Sequence, residues 1–331
     1  MSRGQTKTSL KMGLPEWIML VVLSVAWGGA FLFYKLLDEA NVPPFTIVLG
    51  RVGVAALALL PVLLVMRRAI PRSPSMWAQF LVLGAVNNVL PFSLIIVGEK
   101  QIDSGLASIF NATTPVFTAL LAHLLSRDEK LSPNKVAGIV VALAGVVLLI
   151  GPNVIHGVNL TSIAQLACIG AAVTYGFGAL YARRFRAQGI DPFVVSFGQL
   201  AASALIALPL ALFEHPLAHL ALPTAAWWAW IGLAIPSTAF AFVLYFRLID
   251  VAGATNAASV TFLVPVSAVL LGTLVLGERL APGTAAGMAC IFAGLVALDG
   301  RIFARFRDAF GASKKTAIDV ERCTASKTPA T

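Results

Sequence analysis

The chain has 331 residues, 58% of them hydrophobic and 12% charged, with 24 Lys and Arg against 15 Asp and Glu. Soluble domains carry about 25% charged residues, so this composition excludes aqueous enzymes, nucleic-acid binders and disordered scaffolds. The net charge of +9 does not point to nucleic acid either, because the basic residues fall in short clusters between long apolar runs, which is the membrane pattern.

A spanning helix needs about 20 predominantly apolar residues, and the sequence holds ten such stretches. Residues 1–15 form a polar tail with Arg3, Lys7 and Lys11. The apolar run after it is full spanning length, so it reads as retained rather than as a signal-peptide core. The first span covers 17–34, and the second covers 44–66, interrupted once by Arg51. The third lies between Arg72 and Glu99, the fourth between Asp103 and Arg127. From Val136 to Ala182 there is no charge over 47 residues, too long for one helix. Gly151-Pro152-Asn153 and His156-Gly157 divide it into the fifth and sixth spans, since Gly and Pro cluster where helices stop. The last four spans cover 192–213, 225–246, 254–276 and 282–298. No period-2 alternation marks a membrane barrel. Residues 301–331, rich in Lys, Arg, Ser and Thr, read as a basic, disordered cytoplasmic tail.

With the N-terminus in the cytoplasm, 20 Lys and Arg lie on the inner side and three on the outer, Arg51 apart. The positive-inside rule therefore puts both termini in the cytoplasm, in a multi-pass protein of the plasma (inner) membrane. Cys168, Cys290 and Cys323 lack motif spacing, so they predict neither a disulfide framework nor a metal site. His215 and His219 flank Pro216 with no third ligand spaced to join them. No cofactor is implied.

The two halves repeat each other. Trp27-Gly28 matches Tyr175-Gly176, Lys35 matches Arg183, Pro44-Phe45 matches Pro192-Phe193, and Arg51 matches Gln199, all 148 residues apart. Glu129-Lys130-Leu131 matches Glu278-Arg279-Leu280 at 149, as Gly138 and Gly145 match Gly287 and Gly294. A duplicated unit with an odd number of spans enters the membrane upside down the second time. The expectation is an all-α polytopic membrane protein of ten transmembrane helices, arranged as two inverted five-helix repeats over 16–151 and 160–300. Inverted repeats are how many secondary transporters build two exchangeable states around a midplane site.

These residues resemble the EamA-type branch of the drug/metabolite transporter superfamily. The resemblance rests on Trp27-Gly28 with Lys35, on Pro115 with Glu129-Lys130-Leu131, and on Pro265 with the stretch from Leu276 to Leu280 and the Gly287/Gly294 helix. It implies ten spans around a central cavity and a cargo of amino acids, other small metabolites or drugs, often moved outward. The expected function is secondary transport by alternating access, as an exporter. The expected partners are a small-molecule substrate and the bilayer, with no nucleic acid, in a monomer or weak homo-oligomer. The alternative is an integral membrane enzyme, such as a transferase acting on a lipid-linked substrate. Such chemistry needs clustered acids, a metal, or a nucleophile with its base, and the 15 acids all fall at span ends, in loops or in tails. The chain is not expected to be an enzyme.

Arg51 is the outlier, a charge inside an apolar span, which costs about 2.5 kcal/mol or more at a helix centre. It either contacts an anionic group on the substrate, or pairs with Glu99 as a gate, or snorkels to the outer headgroups. The other cavity candidates are Trp27, Asn87, Asn88, Asn111, Tyr175, Gln199 and Asn256. Tyr34, Tyr181 and Tyr245 serve equally as cavity lining or as packing. Pro91, Pro115, Pro236 and Pro265 are the expected helix kinks, since proline frees a backbone carbonyl that in a membrane must face protein or a watery cavity. Ser and Thr near them are expected to bond their own helix carbonyls.

Overall fold

The computed structural model describes residues 12–125, 131–150, 160–214, 222–279 and 282–299. Both tails, Glu129, the break at 151–159, His215, His219 and Cys323 lie outside the described residues. The spanning helices are α1 Leu14–Glu39, α2 Pro44–Val65, α3 Pro74–Glu99, α4 Ser104–Leu125, α5 Pro133–Ile150, α6 Leu160–Ala187, α7 Pro192–Phe213 and α8 Thr224–Ala252. Two shorter apolar helices follow, α9 Val260–Leu276, preceded by a single turn Ala254–Ala257, and α10 Pro282–Asp299. No strand occurs among the described residues. The chain is an all-helical, multi-pass membrane protein.

Several helices open on a proline in the first turn: Pro15, Pro44, Pro74 and Pro192. There the missing N–H costs nothing and the fixed φ suits the helix. Helix α1 continues past the apolar run that predicts it. Lys35, Asp38 and Glu39 end the charge-free stretch, yet the helix stops only where Asn41 adopts a φ of 58°.

The repeat is visible as paired packing. Helix α2 packs on α7, and α5 packs on α10, each helix on its own repeat mate. Helix α1 packs on α9 as α6 packs on α4, and α1 packs on α8 as α6 packs on α3. These crossings depend on bare glycine surfaces. A Cβ on Gly28 would stand 2.9 Å from the Ala268 nitrogen of α9, and one on its mate Gly176 would stand 3.1 Å from the Thr118 nitrogen of α4. The aromatic residue before each glycine, Trp27 or Tyr175, then faces the middle of the molecule.

Helices α3 and α8 each widen into a π-turn, Ala85–Val89 and Ile235–Phe240. Pro91 follows the first and Pro236 lies in the second. A proline ring crowds the carbonyl one turn back, and the wider i→i+5 turn relieves that crowding. Helix α4 breaks at Ala112-Thr113, where Pro115 enters the second piece, Thr114–Leu125. Pro265 lies within the continuous helical piece Val260–Leu271.

Candidate transport cavity

A cavity of about 340 Å³ sits between the halves, lined from α1, α2, α3, α4, α6, α8 and α9. Helix α1 contributes Trp27, Ala30, Phe31 and Tyr34, a spacing that lines one helix face. Trp27 and Tyr245 approach from opposite halves with ring centroids 5.3 Å apart.

Arg51 lies in this wall, 6% exposed. Its Nε donates to Thr238 Oγ1 at 2.9 Å, and its Nη1 donates to the Tyr34 hydroxyl. The guanidinium carbon stands 3.7 Å from the centre of the Phe92 ring. No ion pair joins Arg51 to Glu99 among the described residues, and the side chain turns inward rather than out toward headgroups. A buried guanidinium presents five donors. Here its named partners are neutral hydroxyls and an aromatic face.

Thr238 holds Arg51 for a local reason. The π-turn displaces the backbone pattern, and the Thr238 hydroxyl donates to the Leu233 carbonyl at 2.9 Å, which leaves its oxygen to accept from Arg51. The other half carries a related arrangement. Asn87 Nδ2 in the α3 π-turn donates to Gln199 Oε1 at 2.9 Å, while Ser203 Oγ meets the Gly84 carbonyl at 3.2 Å and Asn88 Nδ2 at 2.9 Å. Arg51 and its mate Gln199 each reach across to the π-turn of the opposite repeat.

Trp27, Arg51, Asn87, Asn88, Asn111 and Tyr175 all line the cavity. Gln199 and Asn256 are not among the lining residues. Gln199 backs the wall through Asn87, and Asn256 donates to the Ala252 carbonyl at 2.9 Å. Tyr181 packs against Phe185 instead. The Oδ1 atoms of Asn88 and Asn111 are buried without a hydrogen-bond partner. Ser108, Thr113 and Thr114 bond their own helix carbonyls at 2.6–2.7 Å. Phe31, Phe92, Ser108 and Phe242 also line the cavity and escape sequence reasoning. The run from Trp27 to Tyr34 at helical spacing would have found Phe31.

Glu99 ends α3 fully buried, and neither carboxylate oxygen has a hydrogen-bond partner. Lys35 Nζ donates to the Glu99 backbone carbonyl at 2.6 Å. Among the described residues, no group of three His, Cys, Asp or Glu is placed to hold a metal ion.

The model of the EamA-like transporter family matches residues 15–151 and again 162–298. The chain belongs to the EamA-like transporter family. Among its relatives is the uncharacterized transporter YoaV of Bacillus subtilis, 23% identical over 286 residues, covering 84% of this chain and 95% of that protein. Another is the uncharacterized inner membrane transporter YedA of Escherichia coli, 29% identical over 273 residues, covering 81% and 85%. Protein PecM of Dickeya dadantii is 26% identical over 246 residues, covering 74% and 81%. A chain solved by crystallography superposes with a TM-score of 0.55 at 20% identity, covering 83% of this EamA-like chain and 97% of its own length; that likeness speaks to the fold alone. The family and two of these relatives, YoaV and YedA, are named as transporters, and the EamA-like chain is a membrane transporter.

Proposed function

We propose that this EamA-like protein is a secondary transporter that carries small metabolites with an anionic group, such as amino acids, related compounds or drugs of that kind, across the plasma membrane. It works by alternating access, as an exporter, with both termini in the cytoplasm. One observation carries the reading: the cavity between the repeats holds a buried arginine with no acidic partner among the described residues. A cation in a low-dielectric wall is costly alone, and an anionic group on the cargo offsets that cost. Asn88 and Asn111 line the same cavity and carry amide oxygens without a hydrogen-bond partner; turned toward the cargo, these would accept from an N–H donor, which is the pattern of a zwitterion.

The test is uptake into liposomes holding the purified protein, across a panel of amino acids, amino-acid analogues and uncharged controls. Carboxylate-bearing compounds are expected to move. Arg51→Gln, which copies the mate Gln199, should lower their initial rate at sub-saturating concentration at least about tenfold, since a charged hydrogen bond contributes roughly 1.5–3 kcal/mol. Wild-type rates in that variant at matched protein level would remove Arg51 from the binding role. No flux of any compound by correctly inserted protein would sink the transport reading.

A further inference from the structure

Two inverted repeats related by a pseudo-two-fold axis exchange the two ends of the bundle. Any contact at one end has a mate at the other, and a contact without its mate reveals which end is shut. Helices α2 and α7 obey the symmetry. At one end Glu214 accepts from the Thr46 nitrogen at 2.8 Å, and at the other Arg68 pairs with Asp191 at 3.4 Å.

Helices α4 and α9 do not obey it. The first half of α4, Ser104–Asn111, packs on α9 and on α1. Its mate, the turn Ala254–Ala257 that leads into α9, rests on the end of α8. Among the described residues it has no comparable packing on the second half of α4 or on α6. Among the described residues, then, α4 and α9 meet more closely at the end where α4 begins than at the other.

At the closer end one side chain spans the contact. Glu278 Oε1 accepts from the Ser104 nitrogen at 2.8 Å, and Oε2 accepts from Ser104 Oγ at 2.9 Å and from the Gly105 nitrogen at 3.2 Å. These are donors that the first turn of a helix leaves without intrahelical partners, and they favour a negative charge. The chain is bent to deliver it: Gly277 turns at a φ of 68°, a conformation that favours glycine, and the Glu278 nitrogen bonds back to the Gly272 carbonyl at 3.1 Å. Gly272 lies under the contact, where a Cβ would stand 2.9 Å from Ser104 Oγ.

We propose that Glu278 is the lock of the gate at this end. It holds α4 against α9 while the opposite end is parted, and the transport cycle passes through its release from Ser104 and Gly105. Glu278 does not touch cargo; it decides which end of the cavity is open. The proposal rests on the alternating-access reading above, but its test needs no substrate.

The probe is a membrane-impermeant maleimide, applied from either side of sealed vesicles to a Cys at Thr114, which lines the cavity beyond the lock and is half-buried. The background carries Cys168→Ala, Cys290→Ser and Cys323→Ser. With Glu278 intact, Thr114→Cys should label from the opposite end and slowly from the Glu278 end. Glu278→Ala should raise labelling from the Glu278 end about tenfold, and Ser104→Ala should raise it by a smaller factor, because charge-assisted hydrogen bonds of roughly 1.5–3 kcal/mol are lost in part or whole. Unchanged rates in variants that melt within a few degrees of the parent overturn the proposal. A third arm does not depend on those variants folding. A Cβ on Gly105 would lie 3.4 Å from the Val269 Cα, so Gly105→Cys with Val269→Cys should cross-link under an added oxidant. The cross-linked protein should exclude the probe from the Glu278 end and still admit it from the other. Entry from the Glu278 end past that cross-link would place the gate elsewhere. Because labelling is read without cargo, a chain that moves no metabolite leaves this result standing by itself.

Discussion

The stacking of Arg51 on Phe92 distinguishes arginine from lysine at this position. A planar guanidinium can lie on a ring while donating sideways to two hydroxyls, whereas an ammonium is a compact point charge. Arg51→Lys should therefore recover little of the transport lost in Arg51→Gln, although it restores the charge. Thr238 positions Arg51 without facing the same demands. Thr238→Val should raise KM for an anionic cargo about fivefold, the worth of roughly 1 kcal/mol for one hydrogen bond, with a smaller effect on kcat, and Thr238→Ser should restore it. Initial-rate curves for the four proteins decide both points. Arg51 itself was legible in the sequence because a lone charge in an apolar run has few explanations. Thr238 was not, since it lies 187 residues away and its hydroxyl is aimed by a π-turn that no pattern announces. Gln199 is a cavity candidate in the sequence, but its amide oxygen accepts from Asn87 and it does not line the cavity.

At the scale of the helices, the crossing of α5 on α10 uses glycines from both repeats, each facing the mate of the other. A Cβ on Gly138 would stand 2.7 Å from the Gly294 carbonyl oxygen, and one on Gly145 would stand 2.7 Å from the Gly287 carbonyl oxygen. Gly145→Leu should lower the melting temperature by several degrees, since overpacking costs about 1–3 kcal/mol. Gly53, in the middle of α2, has no heavy atom within 4 Å of where a Cβ would stand. Gly53→Ala should leave the melting temperature unchanged or raise it slightly, because alanine is favoured over glycine in a helix by about 1 kcal/mol. The glycine register was readable as a repeat, but which glycine meets which is a property of the crossing. The prolines show the same limit. Pro91 and Pro236 accompany π-turns and Pro115 follows a break, yet Pro61, Pro209 and Pro265 sit in continuous helices. Which proline goes with a wider turn or a break is set by the packing around it, and the sequence alone does not show that packing.

The number of spans and the inverted repeat were legible across the whole molecule because each depends only on apolar length and register. The departure from symmetry was not, because it depends on which helix faces meet; on the transport reading it is one of two packings of the same sequence. Acidity should bias that choice. Asp103, in the loop before α4, has its carboxyl pKa raised, first by burial and then by the charge of Glu278, against the opposing pull of Lys35. A raised carboxyl favours the protonated form in this shut arrangement. That contribution is complete below the ordinary carboxylate pKa of about 3.9 and is lost as pH rises through the raised value. Lowering the pH should therefore slow labelling of Thr114→Cys from the Glu278 end, and Asp103→Asn should flatten the trend when the two proteins are compared at each pH. A further consequence follows from α2 and α7 being tied at both ends. On the transport reading this pair is an axle: its contacts survive while the walls tilt about it. Arg51 rides on that axle, so the charge of the cargo stays at one height while α4 and α9 close behind it and open ahead of it.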